Sequence, residues 1–180
     1  MSKKIVIIGG VAGGATAATR LRRLNETVQI ILLEKGEYIS FANCGLPYHV
    51  GGVIKERDNL LLQTVEGMHA QYDLDIRNFS EVTKINPETK SVTIYHHQTK
   101  ETYEERYDQL ILSTGAKAIV PPITGLATAT NVFSLRNIPD MDQIQAYIKT
   151  QNVQTATVIG GGFIGLEMME NLVELGIDVQ

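Results

Sequence analysis

The chain carries one cysteine in 180 residues, Cys44, and sixteen glycines, several of them gathered in two short runs. A lone thiol can neither close an intrachain disulfide nor complete a metal site by itself. Its plain reading is a small buried hydrophobe. The neighbours suggest more: in Ser40-Phe41-Ala42-Asn43-Cys44-Gly45-Leu46-Pro47-Tyr48 the proline suits the first turn of a helix. Cys44 then falls at the N-terminal end of that helix, where the dipole and unpaired N–H groups favour thiolate over thiol. A thiolate is the nucleophile of disulfide exchange.

The glycine runs suit a different chemistry, the holding of a pyrophosphate. Gly9-Gly10-Val11-Ala12-Gly13-Gly14 sits between an apolar run, Ile5–Ile8, and a segment of good helix formers ending near Leu24. A second apolar run, Val28–Leu33, follows and ends on Glu34. Strand, glycine turn, helix, strand and acid make the order of a dinucleotide-binding βαβ unit. The glycines let backbone approach the phosphates, the helix start supplies N–H donors, and Glu34 can accept from a ribose diol. Against G-x-G-x-x-G, Gly9 and Gly14 fit, and Val11 stands where the middle glycine belongs.

The pattern recurs as Gly160-Gly161-Gly162-Phe163-Ile164-Gly165, a complete G-x-G-x-x-G after Thr157-Val158-Ile159. A helix over 166–175 and Gly176 as its C-cap follow. A shift of 151 residues lays Gly9 on Gly160 and Gly14 on Gly165. Two such units imply two dinucleotides, or one dinucleotide and a relic. Ile177–Gln180 reads as the start of the second unit's second strand, so the acid that chooses between a ribose hydroxyl and a 2′-phosphate is expected beyond Gln180. A half-built unit cannot bury its helix, which points to a piece of something longer.

Between the units, alternation over Ser80–Ile85, Ser91–His96 and Glu101–Tyr107 predicts an antiparallel meander. Gln109–Ser113 reads as a buried strand, and Pro139–Lys149 as an amphipathic helix with Met141, Ile144 and Ile148 on one stripe. Arg20, Arg22 and Arg23 read as a solvated helix face, with a phosphate role open for Arg23. His96 and His97, adjacent on a strand, point to opposite faces and cannot chelate one metal. No metal site is expected.

Composition excludes other classes. With 43% hydrophobic and 20% charged residues the chain is an ordinary globular one. A net charge of −4 gives no basic field for nucleic acid or an anionic membrane. No apolar run approaches the ~20 residues that span a bilayer. A cytoplasmic location is the default.

The chain resembles the single-cysteine branch of the flavoprotein pyridine nucleotide-disulfide oxidoreductases. It is most similar to the coenzyme A-disulfide reductases, including the form fused to a rhodanese domain. The resemblance rests on the Gly9–Gly14 turn, Glu34, the segment Ser40–Tyr48, Ser113-Thr114-Gly115-Ala116 and the segment Gly160–Glu167. It implies an α/β, FAD/NAD(P)-binding Rossmann-like (glutathione reductase-like) fold with a small antiparallel β-meander and a truncated second βαβ unit. Residues 1–150 would be the first part of an FAD-binding domain, and 151–180 the start of an NAD(P)-binding domain.

Carried over by motif, Gly9, Ala12, Gly13, Glu34, Lys35, Val82, Ser113, Thr114, Gly115 and Arg136 would meet FAD. Gly160, Gly162, Ile164 and Gly165 would meet NAD(P)H. Thr16, Arg20, Arg23, Ser40 and Asn43 would contact coenzyme A, and Cys44 would be the catalytic thiol. The implied activity passes electrons from NAD(P)H through FAD to a Cys44 mixed disulfide, reducing coenzyme A disulfide or a related persulfide, in a homodimeric parent. An NADH oxidase or peroxidase working through Cys44 sulfenic acid is the second reading. Such relatives carry a histidine where this chain has Ala12 and a serine where it has Asn43. Several coenzyme A-using relatives also carry basic residues near Ala70-Gln71-Tyr72, which this chain lacks. A catalytically silent nucleotide-binding piece is the third.

Overall fold

The computed structural model describes residues 2–180, and the chain divides into two compact units. One comprises the chain up to Phe41 together with Leu61–Gly115; the other comprises Ala42–Leu60 and Ala116–Gln180. Among the described residues no helix is long and apolar enough to cross a membrane.

The first unit is built on a parallel sheet. Strands β1 (Lys4–Ile8) and β2 (Gln29–Leu33) pair in register from Lys4↔Gln29 to Ile8↔Leu33. Helix α1 (Ala12–Leu24) makes the crossover. With β3 (Asp75–Arg77) and β7 (Gln109–Leu112) the sheet runs β3-β2-β1-β7. Successive side chains of a strand point to opposite faces, and both faces here are covered. Ile5, Ile7, Ile30 and Leu32 pack with Ala15 and Ala18 of α1 and with Met68 of α3 (Val65–Tyr72). Val6, Ile31 and Leu33 pack with Val92 and Ile94 of the meander. That meander, β4 (Ser80–Asn86), β5 (Ser91–His96) and β6 (Thr102–Arg106), is antiparallel, as its alternation predicts.

Two expectations change in this unit. Strand β7 is not buried: it forms the edge of the sheet, and Leu112 is 60% exposed. Arg22 is not a solvated charge. Its guanidinium donates to the carbonyls of Glu26, Val28, Tyr72 and Asp73 at 2.7–2.8 Å, clamping the end of α1 to the chain entering β2 and leaving α3.

An ion network fastens the meander to the sheet. Arg77 on β3 donates to Asp75 at 2.6 Å and to Glu105 on β6 at 2.8 Å, and Lys4 on β1 donates to Glu105 at 2.7 Å. The hydrogen bond to Asp75 leads in holding the Arg77 guanidinium protonated, well above its ordinary range. Burial pushes the Glu105 carboxyl up, but hydrogen bonds from Lys4 and Arg77 outweigh it and hold the group below the usual carboxylate range.

In the second unit, α4 (Ile138–Gln151) opens with a capping box between Asn137 and Asp140 and buries Ile138, Met141 and Ile144. Strands β8 (Thr155–Ala156) and β9 (Asp178–Val179) pair in parallel around α5 (Phe163–Glu174). Gly176, at φ +80°, ends that helix as its position predicts. Much of α5 stays uncovered, with Phe163 88% exposed. The Ala42–Leu60 segment adds the short helix α2 (Leu46–Val50), preceded by a 3₁₀ turn over Asn43–Gly45.

Candidate functional site

In the first unit, the glycine turn joins β1 to α1, and its Gly9 N–H donates to the Leu33 carbonyl at the end of β2 at 2.8 Å. Gly9 has φ +101°, a left-handed backbone, and a Cβ on it would collide with the Ser113 carbonyl. A Cβ on Gly14 would collide with the carbonyl of Gly9, so the first turn of α1 lies directly on the turn that precedes it. Gly13 differs: a Cβ there meets Ser113 Oγ at an ordinary 3.4 Å, and the residue is exposed at the helix start. Val11 has φ −88°, outside the left-handed region that favours glycine.

Glu34 is fixed where β2 ends. Its Oε2 accepts from the Gly10 N–H at 2.7 Å and its Oε1 from the Gly36 N–H at 2.8 Å. Each carboxylate oxygen keeps a further lone pair for an incoming hydroxyl. Gly10 and Gly36 thus belong to the site, although only the distance of the glycine run from the acid hinted at them in the sequence.

Ser113 is tied to β1 by donating its N–H to the Ile8 carbonyl at 2.8 Å, and Thr114 and Gly115 follow, both exposed. Thr114, Ile8, Leu112 and Val82 line a shallow apolar cleft of about 340 Å³ with Thr83, Lys84 and Ile85. The fold therefore gathers Gly9, Gly13, Glu34, Val82, Ser113, Thr114 and Gly115 at the C-terminal end of one sheet. That is where open α/β sheets bind ligands. Ala12 opens α1 beside them, and Lys35 is exposed just past Glu34.

On α1, Thr16, Arg20 and Arg23 are all exposed at spacings of one and two turns, so they share a face. Ser40 has φ +46°, uncommon for a residue with a side chain. Its N–H donates to the Gly10 carbonyl at 3.0 Å, and its carbonyl accepts from the Leu62 N–H at 2.9 Å. Ser40 is thus hydrogen-bonded directly to the glycine turn, a constraint invisible in its residue type.

In the second unit, Cys44 is exposed, which overturns its reading as a buried hydrophobe. Its neighbours do the packing: Gly45, Leu46, Pro47, His49 and Val50 are buried. The Ala42 N–H donates to the Leu60 carbonyl at 2.8 Å and closes the segment at its base. The Gly45 N–H donates to Ala42 at 2.9 Å and makes the 3₁₀ turn. The predicted helix thus starts after the cysteine, has five residues, and takes Pro47 in its first turn. Asn43 shares the turn and is half-buried. Arg136 is also in this unit; its Nε donates to the Ala116 carbonyl at 3.1 Å.

The second glycine turn repeats the first. Gly160 has φ +117°, and a Cβ on Gly165 would collide with the Gly160 carbonyl. Gly162 precedes α5 just as Val11 precedes α1, and Ile164 lies in the first turn. Neither α1 nor α5 has a side chain capping its start, whereas α3 is capped by Thr64 and α4 by Asn137. Backbone donors at an uncapped helix start, packed against a left-handed glycine, fit a pyrophosphate.

These features define an FAD/NAD(P)-binding, Rossmann-like α/β protein with two dinucleotide turns. The chain belongs to the pyridine nucleotide-disulphide oxidoreductase family, which matches residues 3–180. Members of this family are flavoprotein oxidoreductases that use FAD and NAD(P)H. The chain is 43% identical over 177 residues to the coenzyme A disulfide reductase of Staphylococcus epidermidis, covering 98% of this chain and 39% of that protein. Reduced Bacillus anthracis CoADR-RHD matches at 62% identity and a TM-score of 0.98, over 99% of this chain and 32% of its own. A NAD-dependent persulfide reductase from A. fulgidus matches at 36% identity and a TM-score of 0.92, over 98% of this chain and 32% of its own. The chain thus spans well under half the length of each of these relatives.

Proposed function

We propose that this chain carries the flavin-binding and redox-thiol part of an enzyme that reduces coenzyme A disulfide or a related small persulfide. The observation that carries this reading is Cys44, a single exposed thiol in a chain with two dinucleotide turns. The likeness to coenzyme A disulfide reductase and persulfide reductase supports the substrate class. The functional division is 1–150 for FAD and 151–180 for the start of the NAD(P)H part, drawn by which turn serves which cofactor. The parent is a cytoplasmic homodimer.

In this reading Gly9, Ala12 and Gly13 offer backbone to the pyrophosphate of FAD. Glu34 accepts from a ribose hydroxyl, and Lys35, Val82, Ser113, Thr114, Gly115 and Arg136 complete the contacts. Gly160, Gly162, Ile164 and Gly165 do the same for NAD(P)H. When bound, the flavin supplies two-electron transfer from the nicotinamide. Thr16, Arg20, Arg23, Ser40 and Asn43 hold coenzyme A, with the two arginines matched to its phosphates.

The Cys44 thiolate attacks one sulfur of the disulfide; that S–S bond breaks and one coenzyme A leaves as thiolate. Cys44 remains in a mixed disulfide with the other. Two electrons from NAD(P)H and a proton then release the second coenzyme A and restore the thiol.

Mixed with coenzyme A disulfide, the 180-residue chain is expected to release one equivalent of coenzyme A thiol and stop. Cys44→Ser is expected to release none. Steady NAD(P)H-dependent release would contradict assigning turnover to a longer enzyme, and equal release from Cys44→Ser would contradict the role of Cys44.

A further inference from the structure

A buried amide holds the short helix that follows Cys44. Asn171 on α5 is only 4% exposed, in a helix whose solvent face carries the apolar Phe163, Leu166 and Val173. Desolvating an amide is costly unless its groups are paired. Asn171 Nδ2 donates to the Glu167 carbonyl at 2.8 Å, which fixes its rotamer. Against that fixed side chain sits Gly51, the residue that ends α2. A Cβ on Gly51 would run into Asn171 Oδ1 and come within 2.6 Å of its Cβ and 2.8 Å of its Cγ.

Backbone geometry does not demand glycine here. Gly51 has φ −74° and ψ −4°, open to any residue. The three atoms nearest to a Cβ there all belong to Asn171. Helix α4 holds the same segment as well: Gln145 Nε2 donates to the His49 carbonyl at 3.1 Å, and Arg57 makes a two-point pair with Asp142 at 2.9 and 2.8 Å. With α4 fastened to the segment, a displacement forced at Gly51 has few directions to take. It passes along α2 toward Leu46 and the 3₁₀ turn of Cys44.

We infer that Asn171 is a positioning residue: by seating Gly51 it sets the place of α2 and of the turn that carries Cys44. The inference rests on the reading of Cys44 as the thiol that meets coenzyme A disulfide. A small disulfide can reach an exposed thiol from many directions. A large one held by other groups needs the sulfur in one place, and misplacement by about 1 Å can cost up to about a hundredfold in rate.

The test compares Cys44 exchange with bis(2-hydroxyethyl) disulfide and with coenzyme A disulfide, in the native chain, Gly51→Ala, Asn171→Ala and the double variant Gly51→Ala with Asn171→Gly. Gly51→Ala is expected to slow exchange with coenzyme A disulfide about tenfold while the small disulfide stays within about twofold. Pairing Gly51→Ala with Asn171→Gly, which also takes away the Cβ that alanine would keep, removes all three obstructing atoms and restores most of the rate. Asn171→Ala alone, which empties the seat, is expected to slow the large disulfide about threefold and gives the readout if Gly51→Ala does not fold.

Equal slowing with both disulfides, no slowing with either, or no recovery in the double variant would overturn the positioning role. A native chain that exchanges with the small disulfide but never with coenzyme A disulfide would overturn the substrate reading, and this inference with it.

Discussion

Gly13 and Gly14 are neighbours with opposite demands. A side chain on Gly14 collides with the Gly9 carbonyl, and one on Gly13 meets only Ser113 Oγ at contact distance. Gly14→Ala is therefore expected to cost about 2–3 kcal/mol of stability and to abolish FAD binding, because α1 must move off the turn. Gly13→Ala should stay within about 1 kcal/mol of native and weaken FAD through lost backbone access. Thermal unfolding and FAD titration of both variants check this; equal stability losses would contradict it. At this scale the sequence was partly legible. The glycine spacing and the acid ending an apolar run pointed to Gly9, Gly14 and Glu34. Val11 looked like a fault because residue type does not reveal φ. The exposure of Cys44 was hidden too, since it depends on neighbours packing instead of the thiol.

Among elements, the 151-residue repeat holds in detail: α1 starts at Ala12 and α5 at Phe163, one behind each turn. It breaks at the second strand. The same shift carries the Lys4↔Gln29 pair onto Thr155 and Gln180, yet Thr155 pairs with Asp178, two residues earlier. The connection after α5 is shorter, which hydrophobic spacing does not show. Strand β7 reads apolar, but an edge position is a property of the assembled sheet. The clamp made by Arg22 was equally hidden, because its partners are main-chain carbonyls, two of them about fifty residues away.

The Lys4–Glu105–Arg77 network belongs to this scale as well. The Glu105 carboxyl is held below its ordinary value. Its stabilisation is therefore present above the unfolded-state value and is lost as pH falls through the folded-state value. The native chain should lose stability as pH falls below about 4, and more steeply than Glu105→Gln. At neutral pH that variant should cost about 1 kcal/mol, since the network is partly solvated and screened. Urea unfolding at several pH values reads both; parallel pH profiles would contradict the role of Glu105.

Across the whole molecule, the chain spans 39% of the Staphylococcus epidermidis reductase and leaves apolar residues such as Ile119 and Phe163 open, at 91% and 88% exposure. In the proposed function this chain carries the thiol exchange and a longer enzyme carries the turnover. The cofactor turns were legible because phosphate binding constrains backbone, and backbone constraint is written in glycine. The proposed substrate rests only on the resemblance of the Cys44 segment, since no spacing of residues spells coenzyme A.

The most direct measurement is the intact mass of the chain after exposure to coenzyme A disulfide, before and after reductant. Cys44 is the only cysteine, so any reducible adduct sits on it. The expected result is one coenzyme A-sized adduct, removed by reductant and absent from Cys44→Ser. A thiol that stays bare while the folded chain is saturated with coenzyme A disulfide would contradict it.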